Sequence, residues 1–135
     1  GYCSDLTRTI AMGKVEEKQE TVYNLVRKAQ EDALQAIKAG VTGSEIQAVA
    51  QNVFQDAGYG SFFGHGLGHS VGLEIHEAPN VSFKNENPLK ENQVITIEPG
   101  IYLSGEFGVR IEDMAVVKPK NAENLTNFSK KLIII

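Results

Sequence analysis

The sequence predicts an α+β fold, because helical and extended patterns occupy different parts of the chain. Apolar residues recur at helical spacing between residues 16 and 58, whereas β-branched residues dominate residues 93–103 and 108–117. The chain has 135 residues, of which 41% are hydrophobic, and this is enough for about one domain with a core of its own.

The first elements are a short strand and a long helix. Residues Leu6 to Ala11 alternate weakly between polar and apolar, which predicts a strand. A helix is predicted from Glu16 to Ala39, with acidic residues near its positive end and Gly40 as its C-cap. Its buried stripe would consist of Val22, Leu25, Val26, Ala29, Ala33, Ala36 and Ile37.

A second helix is predicted between Thr42 and Gly58. Thr42 and Glu45 have the spacing of a capping box, in which each side chain bonds the backbone N–H of the other residue. Apolar residues follow at helical spacing, and Gly58 is expected to end the helix. Both helices are predicted to be scaffold.

All three histidines of the chain lie in one glycine-rich run, "FFGHGLGHSVGLEIHEAP". They are His65, His69 and His76. The interleaved glycines disfavour a helix and favour an irregular or extended segment whose backbone approaches a ligand closely. A phosphate-binding loop is the competing interpretation, but neither a Lys-Ser or Lys-Thr pair nor a strand-to-helix pattern accompanies the run.

The segments "QVITIEPGIYL" and "GVRIEDMAVV" predict a hairpin whose turn is centred on Gly105. This register places Glu98 opposite Glu112 on one face of a largely buried sheet, where two like charges are unfavourable. A positive group is therefore expected between them, either Arg110 in a structural ion pair or a divalent metal. Three histidines with two opposed glutamates favour a mixed nitrogen and oxygen site, suited to manganese, cobalt or zinc.

The charge and composition of the chain restrict the classes of partner that it is expected to bind. The net charge of −4 and the isoelectric point near 5.4 argue against nucleic acid or an anionic membrane surface. Cys3 is the single cysteine, so no internal disulfide framework exists, and no apolar stretch is long enough to span a bilayer. A cytoplasmic setting is expected, with a small or peptide-like partner.

Four motifs give the chain a family resemblance. They are "YCSDLTRT", "HGLGHSVGLEIHEAP", "ITIEPGIY" and "GVRIEDM", and they run through most of the chain. In this order they resemble the C-terminal part of the catalytic domain of the proline-selective metallopeptidases, the Xaa-Pro aminopeptidases and Xaa-Pro dipeptidases. The resemblance implies a pita-bread fold, with a curved, mostly antiparallel sheet covered by helices.

The resemblance also implies roles for individual residues. The implied metal ligands are Asp5, His69, Glu98 and Glu112. Glu98 would also move protons, while His65 and His76 would contact the substrate peptide. Arg110 and Tyr102 would contact the ligands instead of the metal and would fix the orientation of the ligands.

The implied reaction is hydrolysis, by a hydroxide bound to divalent metal, of peptides with proline at the second position. Manganese is expected in preference to cobalt or zinc. The sequence does not decide whether the protein forms a homodimer. Dipeptidase and aminopeptidase activity are not distinguished, and a methionine aminopeptidase-like enzyme is the near alternative. A pita-bread domain that binds proteins without catalysis is the alternative from another class.

The family pattern includes a further metal-binding aspartate before the position of Asp5, which the sequence does not contain. Residues 1–135 are therefore expected to form the C-terminal part of one pita-bread catalytic domain. We expect the chain to hold about one divalent ion, where the complete enzymes hold two, and to be inactive by itself.

Overall fold

The computed structural model describes all residues of the chain, 1–135. It contains helices α1 (Glu17–Ala36) and α2 (Gly43–Asp56) and a 3₁₀ turn at Gly60–Phe62. The strands are β1 (Ile10–Ala11), β2 (Gly68–Ser70), β3 (Glu77–Val81), β4 (Val94–Ile97), β5 (Gly100–Leu103), β6 (Phe107–Arg110), β7 (Asp113–Val117), β8 (Ala122–Asn124) and β9 (Ile133–Ile134). Neither helix has the length and apolar character that crossing a membrane would require.

Helix α1 ends three residues before the predicted boundary. Ile37 is already extended, because the next residues bond to other parts of the fold. The Ala39 N–H donates to the carbonyl of Lys118 over 2.9 Å, and the Gly40 N–H donates to the carbonyl of Leu89 over 2.9 Å. Tertiary hydrogen bonds therefore replace the last helical turn that the apolar spacing predicts.

Helix α2 begins with the predicted capping box. Oγ1 of Thr42 accepts from the Glu45 N–H over 3.1 Å, and Oε2 of Glu45 accepts from the Thr42 N–H over 2.8 Å. The helix ends at Asp56, two residues before Gly58, and Gly58 has a φ of 81°. Gly58 thus provides the left-handed conformation that commonly follows the end of a helix.

The strands form one larger sheet and two small ones. The five-stranded sheet has the order β3-β2-β4-β7-β8, with every neighbouring pair antiparallel. Strands β5 and β6 form an antiparallel pair, and β1 pairs with β9 in parallel. Of the strand predicted from Leu6 to Ala11, only the end forms β1, while Thr7 makes an isolated bridge to Glu112.

The predicted hairpin register is confirmed, but the hairpin is not one continuous ladder. Tyr102 pairs with Gly108 around a turn at Gly105, whose φ is 78°. The same register continues in the pairing of β4 with β7. The backbones of the two opposed glutamates do not pair with each other. The Glu98 N–H donates to the carbonyl of Leu67, and the Glu112 N–H donates to the carbonyl of Thr7. The ladder therefore opens where both carboxylates lie.

The core lies between the two helices and the strands. Buried side chains from α1, α2 and the sheets form a single cluster that includes Val22, Val26, Ile46, Phe54, Leu67, Ile95, Ile97, Ile101 and Ile111. Ile97, the last residue of β4, belongs to this cluster and directly precedes Glu98. Packing of the core therefore holds the backbone that carries Glu98 in place.

Candidate metal centre

Three adjacent strands carry polar side chains to one edge of the five-stranded sheet. His69 lies in β2, Glu98 follows β4 and Glu112 precedes β7. Since β4 and β7 are antiparallel, the end of one lies beside the start of the other. The bridge between Thr7 and Glu112 adds the segment that contains Asp5.

The structure brings Asp5, His69 and Glu112 into one group. One potential ligand atom from each lies within 4.8 Å of the other two. Nε2 of His69 is 3.7 Å from Oδ2 of Asp5 and 3.2 Å from Oε1 of Glu98. Glu98 contacts the group through His69 but is not one of its three mutually close members.

The hydrogen bond of His69 indicates which nitrogen is free. Nδ1 lies 3.0 Å from the carbonyl oxygen of Ser70, which can only accept, so Nδ1 carries the proton. Nε2 then faces the carboxylates of Asp5 and Glu98. A divalent cation between them would make this arrangement favourable.

Glu112 is a buried carboxylate whose pKa is raised in the folded protein. Burial raises its pKa to about 7; the hydrogen bond from Thr7 opposes this rise, and the negative charges of Glu98 and Asp5 add to it. Oε2 accepts from Oγ1 of Thr7 over 2.5 Å, whereas Oε1 is buried without any hydrogen-bond partner. An unpaired buried carboxylate oxygen beside a histidine and an aspartate fits a divalent cation.

A close strand contact positions His69 and Glu98. A side chain at Gly68 would place Cβ 1.9 Å from the carbonyl oxygen of Thr96, so only glycine fits there. Oγ1 of Thr96 accepts from the His69 N–H over 3.1 Å and donates to Oε1 of Glu98 over 3.0 Å. Thr96 thus connects the two residues through one hydroxyl group.

His65, Tyr102 and Arg110 form a second set of contacts. Nδ1 of His65 lies 2.8 Å from the Gly66 carbonyl, and Nε2 lies 2.9 Å from the Tyr102 hydroxyl. Nη1 of Arg110 reaches the same hydroxyl over 3.5 Å, while Nε donates to Oγ1 of Thr7 over 3.1 Å. Arg110 makes no salt bridge with Glu98 or Glu112, so it does not supply the ion pair considered for the hairpin.

A cavity of about 690 Å³ opens beside the group, lined mainly by polar residues. His65, His69, His76 and Glu98 all contribute to its wall. The ring of His76 meets that of His69 edge-on, with centroids 4.4 Å apart. Each predicted substrate or proton-transfer residue therefore lies on the same cavity, next to the Asp5–His69–Glu112 group.

Two threonines of the site were missed by sequence reasoning. Thr7 holds Glu112, and Thr96 connects His69 with Glu98. Thr7 had a detectable signal, because Asp5, Thr7 and Thr9 alternate as one face of an extended segment would. Thr96 had none, since a threonine in a strand is ordinary.

The family comparison agrees with this geometry. A family model described as metallopeptidase family M24 matches residues 1–119, so the chain belongs to that family. The group of Asp5, His69 and Glu112 is a set of side chains able to hold the divalent ion on which the family depends.

Individual relatives cover nearly the whole chain. An Xaa-Pro dipeptidase of Pyrococcus horikoshii is 46% identical over 132 residues, which are 98% of this chain and 38% of the relative. Two solved structures, an X-Pro aminopeptidase of Thermotoga maritima and an Xaa-Pro dipeptidase of Bacillus anthracis, match with 47% and 46% identity. Both superpose with a TM-score of 0.97 over 99% of this chain and 38% of theirs. The predicted α+β pita-bread fold is thereby confirmed.

Proposed function

We propose that this chain carries a metal site and part of the substrate cavity of a peptidase that cleaves peptides with proline at the second position. The observation that carries the proposal is the position of Asp5, His69 and Glu112 directly beside the cavity lined by Glu98, His65 and His76. The chain spans about 38% of the length of the relatives it matches, so the activity is proposed for the full-length protein.

Asp5, His69 and Glu112 would hold the ion, and Glu98, whose Oε1 lies 3.2 Å from Nε2 of His69, would complete the set of ligands. Three carboxylates and one imidazole are a mostly hard donor set, which favours manganese, while cobalt and zinc also fit. We expect about one ion per chain, because the structure forms one such group. A bound divalent ion supplies Lewis-acid chemistry, which lowers the pKa of water and polarises a carbonyl group.

Glu98 is proposed as the group that accepts and returns protons. Oε1 is held by Thr96, and the residue faces the cavity, which leaves Oε2 available to a water molecule or a leaving amine. A carboxylate held at one oxygen keeps its orientation while the other oxygen exchanges a proton.

His76 and His65 are proposed to contact the peptide. His76 is exposed to the cavity and its ring nitrogens make no hydrogen bond within the chain, so it can bind a substrate carbonyl directly. His65 is bonded at both nitrogens, and Tyr102 would have to release Nε2 before a peptide could take its place.

The preference for proline is supported by the relatives, which include an X-Pro aminopeptidase and Xaa-Pro dipeptidases. Because both activities occur among them, the choice between dipeptidase and aminopeptidase stays open. The homodimer and the cytoplasmic setting remain predictions.

The metal site can be tested on the chain itself. Titration with Mn²⁺, followed by elemental analysis, should give about one tightly bound ion per chain, and Asp5→Asn should weaken the binding strongly. Two tightly bound ions per chain would contradict the single site. A chain that bound none would favour the non-catalytic alternative.

The activity is tested on the full-length protein after loading with Mn²⁺. Ala-Pro peptides should be cleaved, whereas Ala-Ala peptides of equal length should be left largely intact. Equal turnover of both would refute proline selectivity. The chain of residues 1–135 assayed in parallel should show little turnover, and normal turnover by it would refute that part of the proposal.

A further inference from the structure

The side chain of Arg8 uses all five of its N–H donors within the protein. Nε donates to the Ser129 carbonyl over 3.0 Å, and Nη1 donates to the carbonyls of Thr7 and Glu112 over 2.9 and 2.7 Å. Nη2 donates to Oδ1 of Asp113 over 2.7 Å and to the Phe128 carbonyl over 2.8 Å. Guanidinium offers five donors in a fixed planar arrangement, so these bonds define one geometry.

These bonds join three chain segments that are distant in sequence. One segment contains Asp5 and Thr7, the second contains Glu112 and Asp113, and the third leads to the C-terminal strand. The first two are also joined directly, because the Glu112 N–H donates to the Thr7 carbonyl over 3.0 Å. Nη1 of Arg8 binds the carbonyls of Thr7 and Glu112 at the same time. It therefore sets the spacing between the backbones that carry Asp5 and Glu112.

We infer that Arg8 is a positioning residue of the candidate metal site, which holds Asp5 and Glu112 at the separation that a divalent ion requires. This inference rests on the proposed metal site. Its competitor is a purely structural role, in which Arg8 only neutralises Asp113. Asp113 is fully buried and binds both Arg8 and Lys130. Its negative charge requires such positive partners, because an unpaired buried charge is strongly destabilising.

The chain offers a matched control for separating the two roles. Lys130 also binds Asp113, with Nζ 2.7 Å from Oδ2, and it donates to Oε1 of Gln30. It makes no hydrogen bond to Thr7 or Glu112. Removing Lys130 therefore disturbs the charge around Asp113 without touching the backbones of the metal site.

The test compares Mn²⁺ dissociation constants of the unsubstituted chain, Arg8→Lys and Lys130→Met, below their unfolding temperatures. Lysine at position 8 keeps the charge near Asp113 but cannot reproduce the planar set of bonds. Arg8→Lys should weaken Mn²⁺ binding roughly 10- to 100-fold, as is typical when a group that orients metal ligands is lost. Lys130→Met should lower the thermal midpoint and leave the dissociation constant unchanged.

An unchanged dissociation constant in folded Arg8→Lys would overturn the inference, as would equal weakening in both variants. If the unsubstituted chain bound no Mn²⁺, the proposed metal site itself would fail, which is a distinguishable result. Amide hydrogen exchange on the metal-free unsubstituted chain needs no variant. The Glu112 amide should already be protected there, and rapid exchange would show that the spacing is not preset.

Discussion

The hydroxyl group of Thr7 donates a 2.5 Å hydrogen bond to Oε2 of Glu112, and its oxygen accepts a 3.1 Å hydrogen bond from Nε of Arg110. Thr7 therefore links the side chains of Arg110 and Glu112, which form no salt bridge with each other, and the positive charge of Arg110 opposes the rise that burial causes in the pKa of Glu112. Because Oε1 of Glu112 has no partner in the protein, one oxygen is held and the other is left available to a cation.

Replacing Thr7 tests this arrangement. Thr7→Val keeps the shape of the side chain but removes both the bond to Glu112 and the acceptor for Arg110, so Mn²⁺ affinity should fall roughly 10-fold. Thr7→Ser retains the hydroxyl group and should bind as the unsubstituted chain does. Calorimetric titration measures both, and equal affinity of the valine and serine variants would show that the hydroxyl does not orient Glu112.

Replacing Glu98 distinguishes a role in proton transfer from a role in a structural ion pair. Glu98→Gln should preserve the fold and lower turnover of an Ala-Pro peptide by the full-length protein at least about 100-fold, since a general acid or base contributes that much or more. Turnover, bound metal and thermal midpoint are measured on the same preparation. A structural ion pair predicts lost stability with metal binding retained, and unchanged metal content and activity would refute the assignment.

The contact between β2 and β4 predicts a cost for any side chain at Gly68. Gly68→Ala forces Cβ against the Thr96 carbonyl, so the strands must separate, and overpacking of this kind destabilises a protein by about 1–3 kcal/mol. Gly64→Ala is the control, because a Cβ there meets no atom within 4 Å. Urea unfolding should show a loss for the first variant alone; equal losses would mean that the contact is not the cause.

The capping box of α2 predicts a pH dependence. Hydrogen bonds from the backbone and side chain of Thr42 lower the pKa of Glu45, so the charged form is favoured in the folded state. Its stabilising contribution is present above the unfolded pKa and is lost as the pH falls through the lowered folded pKa. Glu45→Ala removes the acceptor of both bonds, so it should lower the thermal midpoint near pH 7 and lower it by less near pH 3. A difference between the two chains that did not depend on pH would exclude the charge of Glu45 as its source.

Local patterns predicted the features that depend on neighbouring residues. The capping box of Thr42 and Glu45 needs only their spacing, and the register of the hairpin needs only its turn at Gly105 and the alternation of side chains. The end of α1 was predicted wrongly, because Ala39 and Gly40 bond to residues far away in sequence. No local pattern contains such bonds.

By itself, the sequence determined which side chains are available for chemistry, their concentration in four motifs, and the register that opposes Glu98 to Glu112. Only the tertiary structure decided how they meet. Asp5 lies beside His69 and Glu112 because backbone bonds join its segment to Glu112, and Arg8 reaches carbonyls more than 100 residues away to hold both. Those distances arise from packing and long-range hydrogen bonds, which link residues that no sequence spacing relates.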